Sequence, residues 1–236
     1  MNIPNANVIS QSHTESLVTQ SIAKGLEVNY LKEKHQILIE DSSDWHAKIY
    51  LPWNLEFDSK GGFSVKDDFH YALVLIRAGQ AVVGYFHEGI LLDHKVFRAY
   101  MVRQKQGKSQ IKYLKTKGKS RSGSRIRLGE TERFFEEINE RLNEYFSNFP
   151  IDFWGISCGK TLWPYYFESE TAPPFSQNQE NLISLPFHIA QASFEALENV
   201  RIQLGKFHLL LSDTGKEVFS ELRTSKNKEE TESDNW

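Results

Sequence analysis

Three consecutive stretches between residues 71 and 103 restrict the fold more than anything else in this chain. YALVLIRAG (71–79) is an unbroken apolar run of strand length that ends in a glycine, the pattern of a strand covered on both faces. AVVGYFHEG (81–89) follows after a tight turn, and ILLDHKVFRAYMVR (90–103) after another. Strands this close together, joined by glycine turns, predict an antiparallel meander.

Downstream the apolar period changes. In TERFFEEINERLNEYFSNF (131–149), Phe134, Phe135, Ile138, Leu142, Tyr145, Phe146 and Phe149 recur at steps of three and four. That spacing predicts a helix with one apolar face, ended by Pro150. IDFWGIS reads as another buried strand. LISLPFHI reads as a strand interrupted by Pro186, hence at an edge or a bend. SFEALENVRIQL is a second amphipathic helix with Gly205 at its C-cap, and FHLLL adds a last strand. The expected class is α/β, a mixed sheet with helices packed on it.

The flanks are less informative. Residues 1–26 are polar without a sustained apolar period and are expected to be poorly ordered or loosely docked. Short strands are expected at 36–39 and 47–51, then a connecting loop over 54–66. Whether these strands form a separate unit or extend the main sheet stays open. From Thr224 the tail TSKNKEETESDNW is nearly devoid of apolar residues and is expected to be disordered. The chain therefore divides into an N-terminal extension (1–67), a main domain (68–223) and an acidic tail (224–236).

Charge is distributed unevenly. Net charge is -3, from 28 Lys and Arg against 31 Asp and Glu. Ten of those basic residues lie between Arg103 and Arg127, where there is no acidic residue, leaving 18 against 31 elsewhere. A field separated in this way attracts a polyanion, so the segment reads as a phosphate-contacting loop. A basic loop that merely stays solvated is the plainer alternative.

Several classes are disfavoured. No apolar run has membrane-spanning length, and the N-terminus lacks the pattern of a secretory signal. The single cysteine, Cys158, permits no intramolecular disulfide, which suits a reducing cytoplasm. GISCGKT (155–161) has three residues between its glycines where a phosphate-binding P-loop needs four, and Trp163-Pro164 follows where its helix should run. A strand-to-helix turn is expected there instead. The eight histidines are scattered, with none paired at metal-ligand spacing. His87-Glu88 and Asp93-His94 read as surface turn residues, and Cys158 as a packed thiol. With no familiar nucleophile, any chemistry has to rest on positioning and electrostatics. Gln110, in the turn after Gly107, can orient a water without carrying charge, although most glutamines in basic loops do no more than face solvent.

The stretch RQKQGKSQ…KGKSRSGSRIRL…FFEEI resembles the release-factor-like domain of the ribosome quality-control peptidyl-tRNA hydrolases, a branch of the superfamily built on the middle domain of eukaryotic and archaeal peptide release factors. Its pattern is Arg-x-x-Gln-Gly-x-Ser/Ala-Gln, a basic loop, then Ser-x-Gly-Ser-x-Leu-Arg. The match here runs through Arg103, Gln106, Gly107, Ser109 and Gln110, then Lys119, Ser122, Gly123, Ser124, Ile126 and Arg127. Lys108 stands where a small residue is usual. The resemblance covers roughly residues 68 to 212 and implies a ribonuclease H-like fold.

It also implies a function: release of nascent peptides from peptidyl-tRNA on stalled or obstructed large ribosomal subunits. Gln110, carried by the catalytic loop Gly107, Lys108 and Ser109, would hold the attacking water. Arg103, Lys105, Lys112, Lys115, Lys117, Lys119, Arg121, Arg125 and Arg127 would contact RNA phosphates. Members of this branch are also associated with cutting the tRNA near its 3′ end, and the sequence does not separate the two reactions. No cofactor, metal or membrane partner is expected, and the protein is expected to be a cytoplasmic monomer. The alternative, from another class, is a non-catalytic binder of rRNA or tRNA in which Gln110 is incidental.

Overall fold

A computed structural model describes residues 3–58, 62–99 and 119–220, with the backbone alone for 119–131. The chain divides into two compact units. One is formed by Asp67–Arg201; the other joins the residues up to Lys66 to those from Ile202 onward.

The second of these holds a five-stranded antiparallel sheet in the order β1-β12-β4-β3-β2, built from β1 (Asn7–Ile9), β2 (Glu27–Leu31), β3 (Gln36–Glu40), β4 (Trp45–Tyr50) and β12 (Phe207–Leu211). β3 and β4 are the two strands expected from sequence, and they bury Ile37, Ile39, Ala47 and Ile49. FHLLL is β12, hydrogen-bonded between β1 and β4.

Residues 7–23, expected to be poorly ordered, form β1 and helix α1 (Gln11–Ala23). The buried stripe of α1 is Thr14, Leu17, Val18 and Ser21, a helical spacing in which half the positions carry hydroxyls. Each hydroxyl is satisfied by the backbone one turn earlier: Thr14 Oγ1 donates to Ser10 O at 3.0 Å and Ser21 Oγ to Leu17 O at 2.7 Å. Burial then leaves no unpaired donor. The expected loop at 54–66 contains a two-stranded ribbon, β5 (Leu55–Phe57) and β6 (Phe63–Val65). Phe57 and Phe63 hold it down, their rings 5.3 Å apart, with Tyr30 and Phe207 at 6.0 and 5.5 Å.

In the other unit the meander forms as expected, from β7 (His70–Arg77), β8 (Gln80–His87) and β9 (Ile90–Arg98). Its second turn has Glu88 at φ 50 and Gly89 at φ 77, the left-handed pair that a two-residue hairpin requires. β10 (Phe153–Cys158) runs parallel to β7, and β11 (Leu182–Ser184) parallel to β10, giving the mixed order β11-β10-β7-β8-β9. Pro186 follows the edge strand β11, as the sequence suggests.

Both faces of this sheet are covered. Helix α2 (Lys119–Asn148) buries Phe134, Phe135, Ile138, Leu142 and Tyr145 among Val74, Ile76, Val83, Tyr85, Trp154 and Ile156. Phe146 and Phe149, expected on the same face, are 58% and 42% exposed. Phe149 stacks on Tyr85, at 4.4 Å between rings. Val83 and Tyr85 face α2, so the strand alternation turns Gly84 the other way. There α4 (Phe194–Leu204) lays Leu197 so close that a Cβ on Gly84 would sit 2.7 Å from Leu197 Cδ2. GISCGKT ends in a 3-10 turn over Lys160–Leu162 and the five-residue helix α3 (Trp163–Phe167) with Pro164 in its first turn. This is the strand-to-helix turn expected in place of a P-loop.

Candidate functional site: the base of the basic segment

The candidate residues fall into two groups. Arg103, Lys105, Gly107, Lys108, Ser109, Gln110, Lys112, Lys115 and Lys117 lie outside the described residues. Lys119, Arg121, Arg125 and Arg127 belong to the first turns of α2, of which the backbone is described. The helix therefore begins well before the apolar period that announces it at 131. Lys and Arg are good helix formers and no proline intervenes, while Gly123 and Gly129 cost about 1 kcal/mol each.

The described structure defines both ends from which segment 100–118 departs. On one side Arg98 is the register partner of Gln80, and the Ala99 N–H donates to Gly79 O at 2.9 Å. On the other side the chain re-enters as α2. A polar clamp joins strand to helix. Asp93 Oδ2 on β9 accepts from Tyr145 OH at 2.6 Å and also from Arg141 Nη2. Arg141 Nη1 in turn donates to Glu144 Oε2 at 2.5 Å, and the guanidinium lies 5.1 Å from the centre of the Tyr145 ring.

Burial, then the Asp93 carboxylate, push the Tyr145 phenol above its ordinary pKa, so it remains a donor. Asp93, expected at a surface turn, is thus a strand residue facing the helix. Its neighbour His94 is exposed on the opposite side, with its ring 4.6 Å from that of Phe194. The clamp thus fixes β9 against the C-terminal part of α2, at a distance along both elements from Arg98 and Lys119.

A second polar cluster adjoins this clamp through Tyr85, the register partner of Asp93. His70 and His87 are partners across the β7–β8 ladder, with rings stacked 4.1 Å apart. Their Nε2 atoms lie 3.1 and 2.9 Å from a single atom, Asp68 Oδ1. His70 Nδ1 is 2.6 Å from Tyr85 OH, and the His70 backbone N–H donates to Asp152 Oδ2 at 2.8 Å. Hydrogen bonds from His70 and then His87 hold the Asp68 carboxyl below its ordinary range. A scan for metal-ligand spacing along the chain misses this group because the hairpin, not the helical or strand period, brings its members together. Burial pushes the Cys158 thiol up to about 12, in keeping with a packed thiol.

A basic Gly-x-Ser-Gln segment carried between a meander strand and a long helix belongs to the release-factor-like class that its motif resembles. The family model for the Bacteroidetes VLRF1 release factor matches residues 71–211, more than half of the chain, and the chain is a member of that family. Among solved structures, a Vms1 mitochondrial localization core aligns over 87% of this chain and 91% of its own, at 10% identity and a TM-score of 0.42. No curated protein matches. Among the described residues, no helix is long and apolar enough to cross a membrane.

Proposed function

We propose that this protein releases nascent peptides from peptidyl-tRNA on stalled or obstructed large ribosomal subunits, acting as a cytoplasmic monomer. One observation carries the reading: the release-factor family match spans 71–211 and so contains the whole Arg103–Arg127 motif. Gln110, presented by Gly107, Lys108 and Ser109, holds a water beside the ester carbonyl, and the terminal ribose hydroxyl of the tRNA assists proton transfer. The cations from Arg103 to Arg127 neutralise tRNA and rRNA phosphates and set the register. The strand order, an antiparallel meander followed by two strands parallel to its first, supports a ribonuclease H-like reading of the domain. No strong protein base is called for, in accord with a thiol held protonated at Cys158.

The test uses large subunits bearing peptidyl-tRNA. Wild-type protein is expected to free the peptide, and Gln110→Ala to do so on the order of 100-fold more slowly. Sequencing the tRNA distinguishes an intact 3′ end, the product of ester hydrolysis, from a shortened one, the product of endonucleolytic cleavage. Release by Gln110→Ala at the wild-type rate rejects the catalytic role. Salt-sensitive binding without release by either protein favours the non-catalytic rRNA- or tRNA-binding alternative.

A further inference from the structure

We propose that Asp68, His70 and His87 form a binding site for a divalent transition-metal ion of the zinc class. Their three ligand atoms all lie within 4.8 Å of one another. Imidazole nitrogen at two positions and a carboxylate at the third is a donor set that suits zinc, nickel or copper, whereas magnesium and calcium take oxygen ligands.

Each ligand has a structural reason for its place. The histidines are register partners on adjacent strands, so the ladder fixes their Cα positions. Asp68 precedes β7 in a left-handed conformation, φ 53, from which its carboxylate reaches both rings. The outer contacts resemble those that orient metal-bound histidines. His70 Nε2–H faces Asp68 Oδ1 at 3.1 Å, and metal binding would move that proton to Nδ1, where the Tyr85 oxygen at 2.6 Å can accept it, freeing the Nε2 lone pair for the ion. Asp152 braces the His70 backbone at 2.8 Å.

Binding needs small movements, because stacked rings do not aim two lone pairs at one point and zinc–nitrogen bonds are about 2.0–2.1 Å long. Freedom is distributed to suit: the His70 side chain is 12% exposed and anchored, while those of His87 and Asp68 are 35% and 79% exposed and can close on an ion. Three protein ligands leave a fourth position for water or an external donor. His87 pairs with Ile90, whereas the basic segment departs beyond Arg98, opposite Gln80. Seven strand steps of about 3.3 Å separate the two ends, and the site is argued from its own three ligands, independently of the proposed function.

The experiment titrates the metal-stripped full chain with Co2+, followed by its visible absorption, and with Zn2+, followed by calorimetry. One equivalent is expected, with Co2+ displaced by Zn2+ and unaffected by Mg2+. His87→Gln and Asp68→Asn, both at accessible positions, are each expected to weaken binding about 10-fold or more, while His94→Gln does not. Zn2+ should raise the thermal midpoint of wild type but not of His87→Gln. The proposal is overturned by the lack of a saturable equivalent, or by wild-type affinity in either cluster variant with its fold retained by circular dichroism.

Discussion

Asp93 takes two donors from a single helix, and the two differ in kind. Arg141 supplies charge, and Tyr145 supplies a hydroxyl on a ring that is itself part of the core. Tyr145→Phe keeps the ring and the Arg141 pair but deletes the 2.6 Å bond to a half-buried carboxylate. The expected cost is about 1–2 kcal/mol, seen as a lower urea midpoint with an unchanged slope; an unshifted midpoint would remove the clamp from the account. Tyr145 is legible in the sequence as a helix-face residue, but its partner is not. Asp93 beside His94 looks like turn chemistry until the strand alternation turns one toward the helix and the other away. His87 misleads in the same way, since its proximity to His70 exists only once β7 and β8 pair.

Elements show a similar division. The apolar period of 131–149 identifies the buried stripe of α2, yet it assigns Phe146 and Phe149 the same rank as Phe135. Phe135 is fully buried and Phe146 is 58% exposed. Phe135→Ala should therefore cost about 3–5 kcal/mol and Phe146→Ala under about 1 kcal/mol, both measured by chemical unfolding. Equal losses would mean that the helix is rotated from its described face. The N-terminal part of α2 carries no apolar period and so is missed by a reading that relies on one. Helix α1 is missed for a different reason: two of its four buried positions are Thr14 and Ser21, which hide their polarity in backbone bonds of their own helix.

For the molecule as a whole, acid is the expected weakness. His35 is buried in the unit that contains β1 to β6. Its Nε2 must donate to the Pro52 carbonyl at 2.9 Å, so Nδ1 accepts from the Tyr30 hydroxyl at 2.6 Å and the ring is neutral. Burial lowers its pKa from 6.5 to about 4, and burial shifts His208 in the same direction. Between about pH 6.5 and about pH 4 the unfolded chain therefore binds more protons than the folded one. Stability is fully present above that window and is lost as pH falls through it. His35 accounts for a loss on the order of 3 kcal/mol. His35→Asn, a residue tolerant of the left-handed φ of 47 found here, should flatten the dependence when unfolding midpoints are compared at about pH 7.5 and about pH 4.5. An equally steep loss in the variant would exonerate His35. By itself the sequence determined the meander, the apolar face of α2, the edge position near Pro186 and the cationic run, because each is a local pattern of period, punctuation or charge. Tertiary structure alone decided that FHLLL pairs with β1 and β4, that Asp93 meets Tyr145 and Arg141, and that Asp68, His70 and His87 converge. Contacts between segments far apart in the chain leave no periodic trace in it, and they exist only after the strands have chosen their neighbours.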